Sequence, residues 1–330
     1  MKNRPDTLTA SRMAALLACP RKHYWRYEVC LQTTEQAHAL RFGSAWHNAM
    51  ECRWKGMDYE AALSAVIEAA DSLHGFDELD CATLAGMLAG YYAHYTGDAE
   101  CVQSLQPEIE FRNPIAGSRT FDACGKLDGL GTHKDGRLIL LEHKTAGEDI
   151  APDSEYWLRL RFNQQISQYV LAAREAGWGI STVLFDVVRK PTIRQRQNES
   201  PEEYGNRLVA DIRVRPEYYF ARREVPVLDT DLAEFAVQRL ELSRLILNLR
   251  AASRKLTREN NSARPCQAWP RNCGAFTCQG CEFKPFCLQN LTPDPANPPA
   301  GFKVGVANPE LNVQCPTGNI QCSSEVKSEN

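Results

Sequence analysis

Gly125-Lys126-Leu127-Asp128-Gly129-Leu130-Gly131-Thr132-His133-Lys134-Asp135-Gly136-Arg137-Leu138-Ile139-Leu140-Leu141-Glu142-His143-Lys144 is the stretch on which the fold of this 330-residue chain turns. Residues 121–133 and 137–145 read as strands. Lys134-Asp135-Gly136 between them is a three-residue hairpin turn in which Gly136 is free to take positive φ. Leu138 to Leu141 form a dense apolar run, and a strand apolar on both faces belongs in the middle of a covered sheet. A loop at 134–136 makes His133 and Arg137 the closing pair. Counting back from that pair puts Asp128 opposite Glu142, with Lys144 two residues further along on the same face. Two carboxylates and one ammonium then stand close together on neighbouring strands.

Outward from the hairpin, the chain divides. Residues 1–100 read as helical: Thr9 caps a short helix through Cys19, ended by Pro20, and helical spacing recurs over 40–53 and 79–95. A strand is expected at 101–111 before the hairpin. After it come a helix at 154–175, a strand at 181–189, a helix at 201–212 with acidic residues in its first turn, and a strand at 218–227. A long amphipathic helix follows at 230–255. Residues after about 291 are rich in Pro, Asn and Ser and are expected to be a disordered tail, 291–330. The units are thus an N-terminal helical region (1–100), a core (101–228) and a C-terminal helix with a cysteine-rich subdomain (229–290). The fold class is α/β: a central mixed sheet flanked by helices.

The apolar fraction of 43% and charged fraction of 24% are those of a globular chain. No apolar run is long enough to span a membrane, and the N-terminus lacks the apolar core of a secretory signal. The expected location is the cytoplasm, or the host cytoplasm for a phage-encoded chain. A formal net charge of −3 does not announce a nucleic-acid binder. Binding, however, depends on where the cations lie rather than on their sum. Residues 1–28 carry six Lys/Arg against two acids, and residues 239–271 carry eight against two. With Tyr24, Trp25 and Tyr27 nearby, these stretches offer phosphate contacts and stacking faces for a single strand. Core packing for the aromatics is the plainer alternative.

Paired carboxylates are hard oxygen ligands suited to Mg²⁺ or Mn²⁺, and a neighbouring lysine can orient a water or offset charge at phosphorus. The triplet Glu-x-Lys says little unaided. It occurs at Glu142-His143-Lys144, Glu282-Phe283-Lys284 and Glu325-Val326-Lys327, and only the first ends an apolar strand with an aspartate opposite. Gly125 and Gly129 flank Asp128, where a ligand or metal can approach the backbone. His47 and Glu51 share one helix face, as do Gln165 and Tyr169. Taken in order, a helix histidine, G-x-x-D, E-x-K and Q-x-x-x-Y resemble the PD-(D/E)xK nuclease superfamily in its RecB-like exonuclease branch, over roughly residues 8–288. Residues 199–204 and 219–225 look like bacteriophage and prophage members of that branch. The resemblance implies a restriction-endonuclease-like core. It also implies a metal held by His47, Asp128, Glu142 and the main-chain carbonyl of His143, with Lys144 catalytic and Gln165 and Tyr169 supporting the site and the DNA. The implied activity is a Mg²⁺- or Mn²⁺-dependent exonuclease acting on DNA ends or single strands in recombination, repair or phage DNA processing. A recombination or single-strand-annealing protein is a partner that would go with it. A structure-specific endonuclease or resolvase with the same site, and a non-catalytic DNA-binding module, are the rival readings.

Of thirteen cysteines, five fall between Cys266 and Cys287. In a reducing compartment clustered thiols mark a metal centre more often than disulfides. Cys278-x2-Cys281-x5-Cys287 is a compact array of this kind. Cys266 or Cys273 could complete a local zinc knuckle. Alternatively, Ala18-Cys19-Pro20-Arg21-Lys22 resembles the N-terminal segment of RecB-like nucleases with an iron–sulfur clasp, including AddB-type subunits and CRISPR-associated exonucleases. That resemblance implies a [4Fe-4S] cluster on Cys19, Cys278, Cys281 and Cys287, stapling the two ends of the chain.

Overall fold

The computed structural model describes residues 6–35, 37–71, 76–180 and 182–306. No helix among them is long and apolar enough to cross a membrane. The centre is a six-stranded mixed sheet, as the α/β reading expects. Its strands are β1 (Asp6–Leu8), β3 (Val102–Pro114), β4 (Phe121–His133), β5 (Leu138–Ala146), β6 (Thr182–Arg189) and β7 (Phe220–Pro226). The hairpin closes as the sequence expects: the His133 amide donates to the Arg137 carbonyl at 2.9 Å, and Gly136 takes φ +87°.

One edge of β4 is covered by antiparallel β3 from Asp122 to His133. The other edge is divided. Parallel β1 pairs with residues 121–123, and antiparallel β5 pairs with residues 129–132. Between Ala123 and Gly129 no described strand lies on that edge. The Gln168 side chain fills part of the gap, its Nε2 donating to the carbonyls of Leu8 (3.1 Å) and Cys124 (2.9 Å). Beyond Leu141, β5 leaves β4 and runs parallel to β6, with Glu142 beside Phe185 and Lys144 beside Val187. The sheet therefore splits beside Asp128 and Glu142.

Helices cover both faces. On one lie α1 (Ala10–Ala18), α7 (Gln164–Glu175) and the long α10 (Asp229–Glu259), enclosing Leu127, Leu140, Tyr169, Phe185 and Ile246. On the other lie α3 (His38–Trp54), α4 (Tyr59–Asp71), α5 (Glu78–His94) and α8 (Pro201–Val214), enclosing Trp46, Met87, Tyr91 and Leu208. Leu140 packs in the first core and Leu141 in another, which is why the run 138–141 had to be apolar on both faces. Local chemistry fixes the helix starts. The Thr9 hydroxyl accepts from the Arg12 amide (3.1 Å), and Asp77 with Asp80 and Ser200 with Glu203 form reciprocal capping boxes.

Two expectations need correction. The single helix expected at 154–175 is two, α6 (Glu155–Leu160) and α7. The Asn163 side chain accepts from the amides of Gln165 (2.9 Å) and Ile166 (3.4 Å), so a new N-cap interrupts what the apolar spacing read as continuous. The stretch after 291 contains β8 (Phe302–Val304), paired antiparallel with β2 (Leu31–Thr33). Residues 307–330, and with them Glu325-Val326-Lys327, lie outside the described residues.

The two ends of the chain are joined by a buried charge network. Arg12, fully buried, reaches Asp6 (3.0 Å), Glu28 (3.0 Å) and the His23 Nε2 (3.2 Å), while Arg250 of α10 bonds Glu28 and Asp6, both at 2.7 Å. A short helix α2 (Pro20–His23) and one π-helical turn over Tyr24–Glu28 carry the chain through this region. Trp25 and Tyr27 are buried and Tyr24 packs on Trp269, so these aromatics are core and not the stacking faces for DNA that the sequence suggested. Arg250 is likewise committed to ion pairs.

Burial, with Arg12 and Arg250 beside it, pushes His23 down from 6.5 to about 2. Between those values the unfolded chain binds one proton more than the folded chain. The stability contributed by a neutral His23 is thus fully present above about pH 6.5 and is lost as the pH falls. From about pH 7.5 to about pH 5.5 the loss through this group should be about 1.4 kcal/mol. Urea unfolding at both values should show wild type losing more stability than His23→Gln by that margin; equal losses would contradict it.

Candidate metal-binding active site

The split between β4 and β5 gathers the residues singled out in the sequence. Instead of one more rung of the ladder, the Asp128 Oδ2 accepts from the His143 backbone amide at 2.8 Å. The other oxygen, Oδ1, lies 3.3 Å from the His47 Nδ1, which α3 delivers. Glu142 is fully buried. Its Oε1 accepts from the Lys144 ammonium at 2.5 Å, whereas Oε2 has no hydrogen-bond partner. Lys144 Nζ also donates to the Gln165 Oε1 (3.0 Å), and Gln165 Nε2 donates to the Tyr169 hydroxyl (2.9 Å). The i,i+4 pair on α7 thus forms one continuous chain with Glu142 and Lys144. Glu51, weighed alongside His47, turns away and pairs with Lys55 at 2.5 Å.

The charges are in tension. Burial and the Asp128 charge push Glu142 above the usual carboxylate range, and Lys144 offsets this only in part. Burial also opposes the Asp128 carboxylate, but His47, His143 and Lys144 outweigh it and hold Asp128 below that range. Burial pushes Lys144 down, but Glu142 and Asp128 outweigh it and favour the ammonium. Paired buried carboxylates with an oxygen to spare form a site that another cation would relieve. Among the described residues no three His, Cys, Asp or Glu side chains are yet drawn together tightly enough to hold an ion. At the split, His47 faces Asp128 Oδ1, Lys144 holds Glu142 Oε1, and Glu142 Oε2 is left without a partner.

Strand alternation puts the His143 ring on the opposite face from Glu142 and Lys144. There it accepts from the Trp54 indole N–H at Nε2 (3.2 Å) and faces the Asp186 Oδ2 at Nδ1 (2.9 Å). Sequence reasoning named His143 only for its main-chain carbonyl, and missed Trp54, Asp186 and Gln168 altogether. Asp186 stands in an otherwise apolar strand, Val183-Leu184-Phe185-Asp186-Val187-Val188, and a lone acid in a buried strand was the available signal.

The glycines around Asp128 serve packing. A Cβ on Gly125 would lie 2.8 Å from both the Phe111 and Tyr169 rings, and one on Gly129 would lie 2.7 Å from Leu105. Gly125 therefore makes room for Tyr169 rather than for a ligand. Two clefts meet at Lys126 and Asp128. One, of about 520 Å³, passes the starts of α1 and α7 at Thr9, Ser11 and Asn163; the other, of about 400 Å³, passes α3 at Gly43, Ser44 and His47.

Away from this centre, Cys19, Cys273, Cys278, Cys281 and Cys287 line a cavity of about 140 Å³. Cys278 lies on α11 (Ala275–Gln279) and Cys287 on α12 (Lys284–Leu288). The Asn272 amide donates to the Cys19 Sγ at 3.4 Å, so the first helix and the last segment do meet. Cys266 does not line the cavity; it is buried among Trp25, Phe283 and Phe286. The second Glu-x-Lys triplet belongs to this region, where Glu282 pairs with Lys22 (3.0 Å) and Phe283 is core.

Comparison with known proteins bears on these features. Among solved structures, one described as "Crystal structure of SSO0001" is 14% identical, covering 88% of this chain and 90% of that one with a TM-score of 0.35. Comparison with curated proteins gives no match. The family model of the PD-(D/E)XK nuclease superfamily matches residues 7–288, a span that takes in both strands of the split sheet, α3 and α7. This chain belongs to the PD-(D/E)XK nuclease superfamily.

Proposed function

We propose that the chain is a DNA exonuclease of the RecB-like branch, acting on ends or single strands in recombination, repair or phage DNA processing. The observation that carries this reading is the meeting, at one split in the sheet, of Asp128, Glu142 and Lys144 with His47 from one face and Gln165 and Tyr169 from the other. The histidine and the Gln-x-x-x-Tyr pair are the parts of the motif set that point to this branch.

On this reading His47, Asp128, Glu142 and the main-chain carbonyl of His143 hold Mg²⁺ or Mn²⁺. The hard oxygen donors and the unpartnered Oε2 of Glu142 fit such an ion. When bound, it polarises a phosphate oxygen and lowers the pKa of its water. Glu142 and Asp128 push Lys144 up and favour its ammonium form. It can donate to the attacking water or offset charge at phosphorus. Gln165 holds Lys144 from the side opposite its own strand, and Tyr169 fixes the Gln165 amide. The paired clefts on either side of Asp128 give a strand an entry and an exit.

Cys19, Cys278, Cys281 and Cys287 are assigned to a [4Fe-4S] cluster, with zinc the alternative cargo. Soft thiols lining a common cavity support this assignment; Cys273 is a fifth thiol lining that cavity, and Cys266 lies outside it.

Lys144→Ala should lower Mn²⁺-dependent DNA hydrolysis by about 10²–10³-fold while leaving the circular dichroism spectrum intact. Retained activity would place the active site elsewhere. Linear single and double strands should be degraded and covalently closed circles spared; cleavage of circles would favour the endonuclease reading. Purified chain should contain about four irons and absorb in the visible, and Cys281→Ser should lose both. Stoichiometric zinc without iron would decide for the zinc knuckle.

A further inference from the structure

The face of the sheet behind Glu142 and Lys144 carries a buried polar network that the reaction does not use directly. His143, Asp186 and Arg222 stand side by side on β5, β6 and β7, in register across three strands. Asp186 accepts from the Tyr91 hydroxyl and lies at ion-pair distance from Arg222 (Nε–Oδ1 3.2 Å) and from the His143 Nδ1 (2.9 Å), neither of which forms a hydrogen bond with it. Arg222 also donates to Tyr91 (2.7 Å) and pairs with Glu100, which accepts from Arg53 at 3.0 Å. Burying this many charged groups is costly, and each would be stranded if its partner were removed. A sheet needing only hydrophobic cover would not carry them.

What the network grips is the end of α3. Trp54 is its last residue, and Arg53, next to it, bonds the Tyr95 carbonyl (2.6 Å) and Glu100 (3.0 Å). The Trp54 indole N–H donates to the His143 Nε2, so that lone pair must stay open. His47 lies seven residues earlier, two turns along the same helix face and about 10 Å away. Its ring centre is 6.2 Å from that of His143. One helix thus makes two contacts with the split: His47 to Asp128 on β4 and Trp54 to His143 on β5. Nearer the start of the helix, a Cβ added to Gly43 would lie 3.7 Å from the Thr145 hydroxyl.

We propose that Trp54, through the His143–Asp186–Arg222 network, is a positioning residue that sets the height and rotation of α3 and so places His47 for metal binding. The proposal rests on the metal-site reading above. Trp54→Phe keeps one aromatic ring and removes the pyrrole portion of the indole together with its N–H. Binding of Mn²⁺ to the full chain is followed by titration calorimetry, the relevant isotherm being the one that Asp128→Asn abolishes. Trp54→Phe should weaken this isotherm about ten-fold, within the range for groups that orient a metal ligand. His47→Ala should weaken it by at least as much. The double variant should be no weaker than His47→Ala alone, because Trp54 acts through His47. A purely structural role would instead weaken binding by the same factor in both backgrounds, and that result, or an unchanged Trp54→Phe isotherm, overturns the proposal. Wild type that takes up no Mn²⁺ at this site overturns the metal-site reading and this inference with it. Should Trp54→Phe fail to fold, Tyr91→Phe loosens Asp186 from a distance and should show the same dependence on His47.

Discussion

The bond from the His143 amide to the Asp128 carboxylate is the point on which the site depends. It stands where a β-ladder would otherwise continue. Gly129 and Leu141 are the last paired residues of β4 and β5, and the next donor of β5 is taken by a side chain instead of a carbonyl. Because that backbone group is satisfied, the strands can part without leaving a buried amide orphaned. Parallel β6 carries β5 onward, and β1 covers the start of β4, so the gap is confined to a few residues.

A sheet that is split can be reached from both faces, and this one is. From one side α7 supplies Gln165 and Tyr169 to Lys144; from the other α3 supplies His47 to Asp128. In an intact sheet the backbone would have separated these groups. The same geometry explains the strained charges. Glu142 is buried because its strand is central, yet it sits beside Asp128 because the hairpin register demands it. Lys144 and His47 neutralise most of the pair, and one oxygen is left without a partner.

A second constraint ties the ends of the chain together. Arg12 and Arg250 share Asp6 and Glu28, α1 delivers Cys19 to the cysteine-lined cavity, and β2 pairs with β8. The Arg250 ion pairs and the β2–β8 pairing join residues more than two hundred positions apart. The shared ion pairs commit Arg12 and Arg250 to structure beside the buried Trp25 and Tyr27, whereas Arg254, Lys255 and Arg258 stay exposed.

The sequence by itself determined the hairpin and its register, because Gly136 and the two-residue period leave one alignment that buries Leu138–Leu141 and juxtaposes Asp128 with Glu142. It also determined the helix faces that carry His47 and the Gln165–Tyr169 pair, since both follow from local spacing. Other features were legible only in part. Asn163 could cap or continue a helix, and nothing local distinguishes the two. Tyr24, Trp25 and Tyr27 could pack or stack, and only their neighbours settled it. The tertiary structure alone decided that the sheet splits at Asp128, that Gln168 fills the gap, that Cys273 shares the cysteine cavity while Cys266 does not, and that His143 reaches Trp54 and Asp186 behind the site. Each of these joins elements distant in sequence, and such contacts are set by how the layers pack, a quantity that no local pattern of residues encodes.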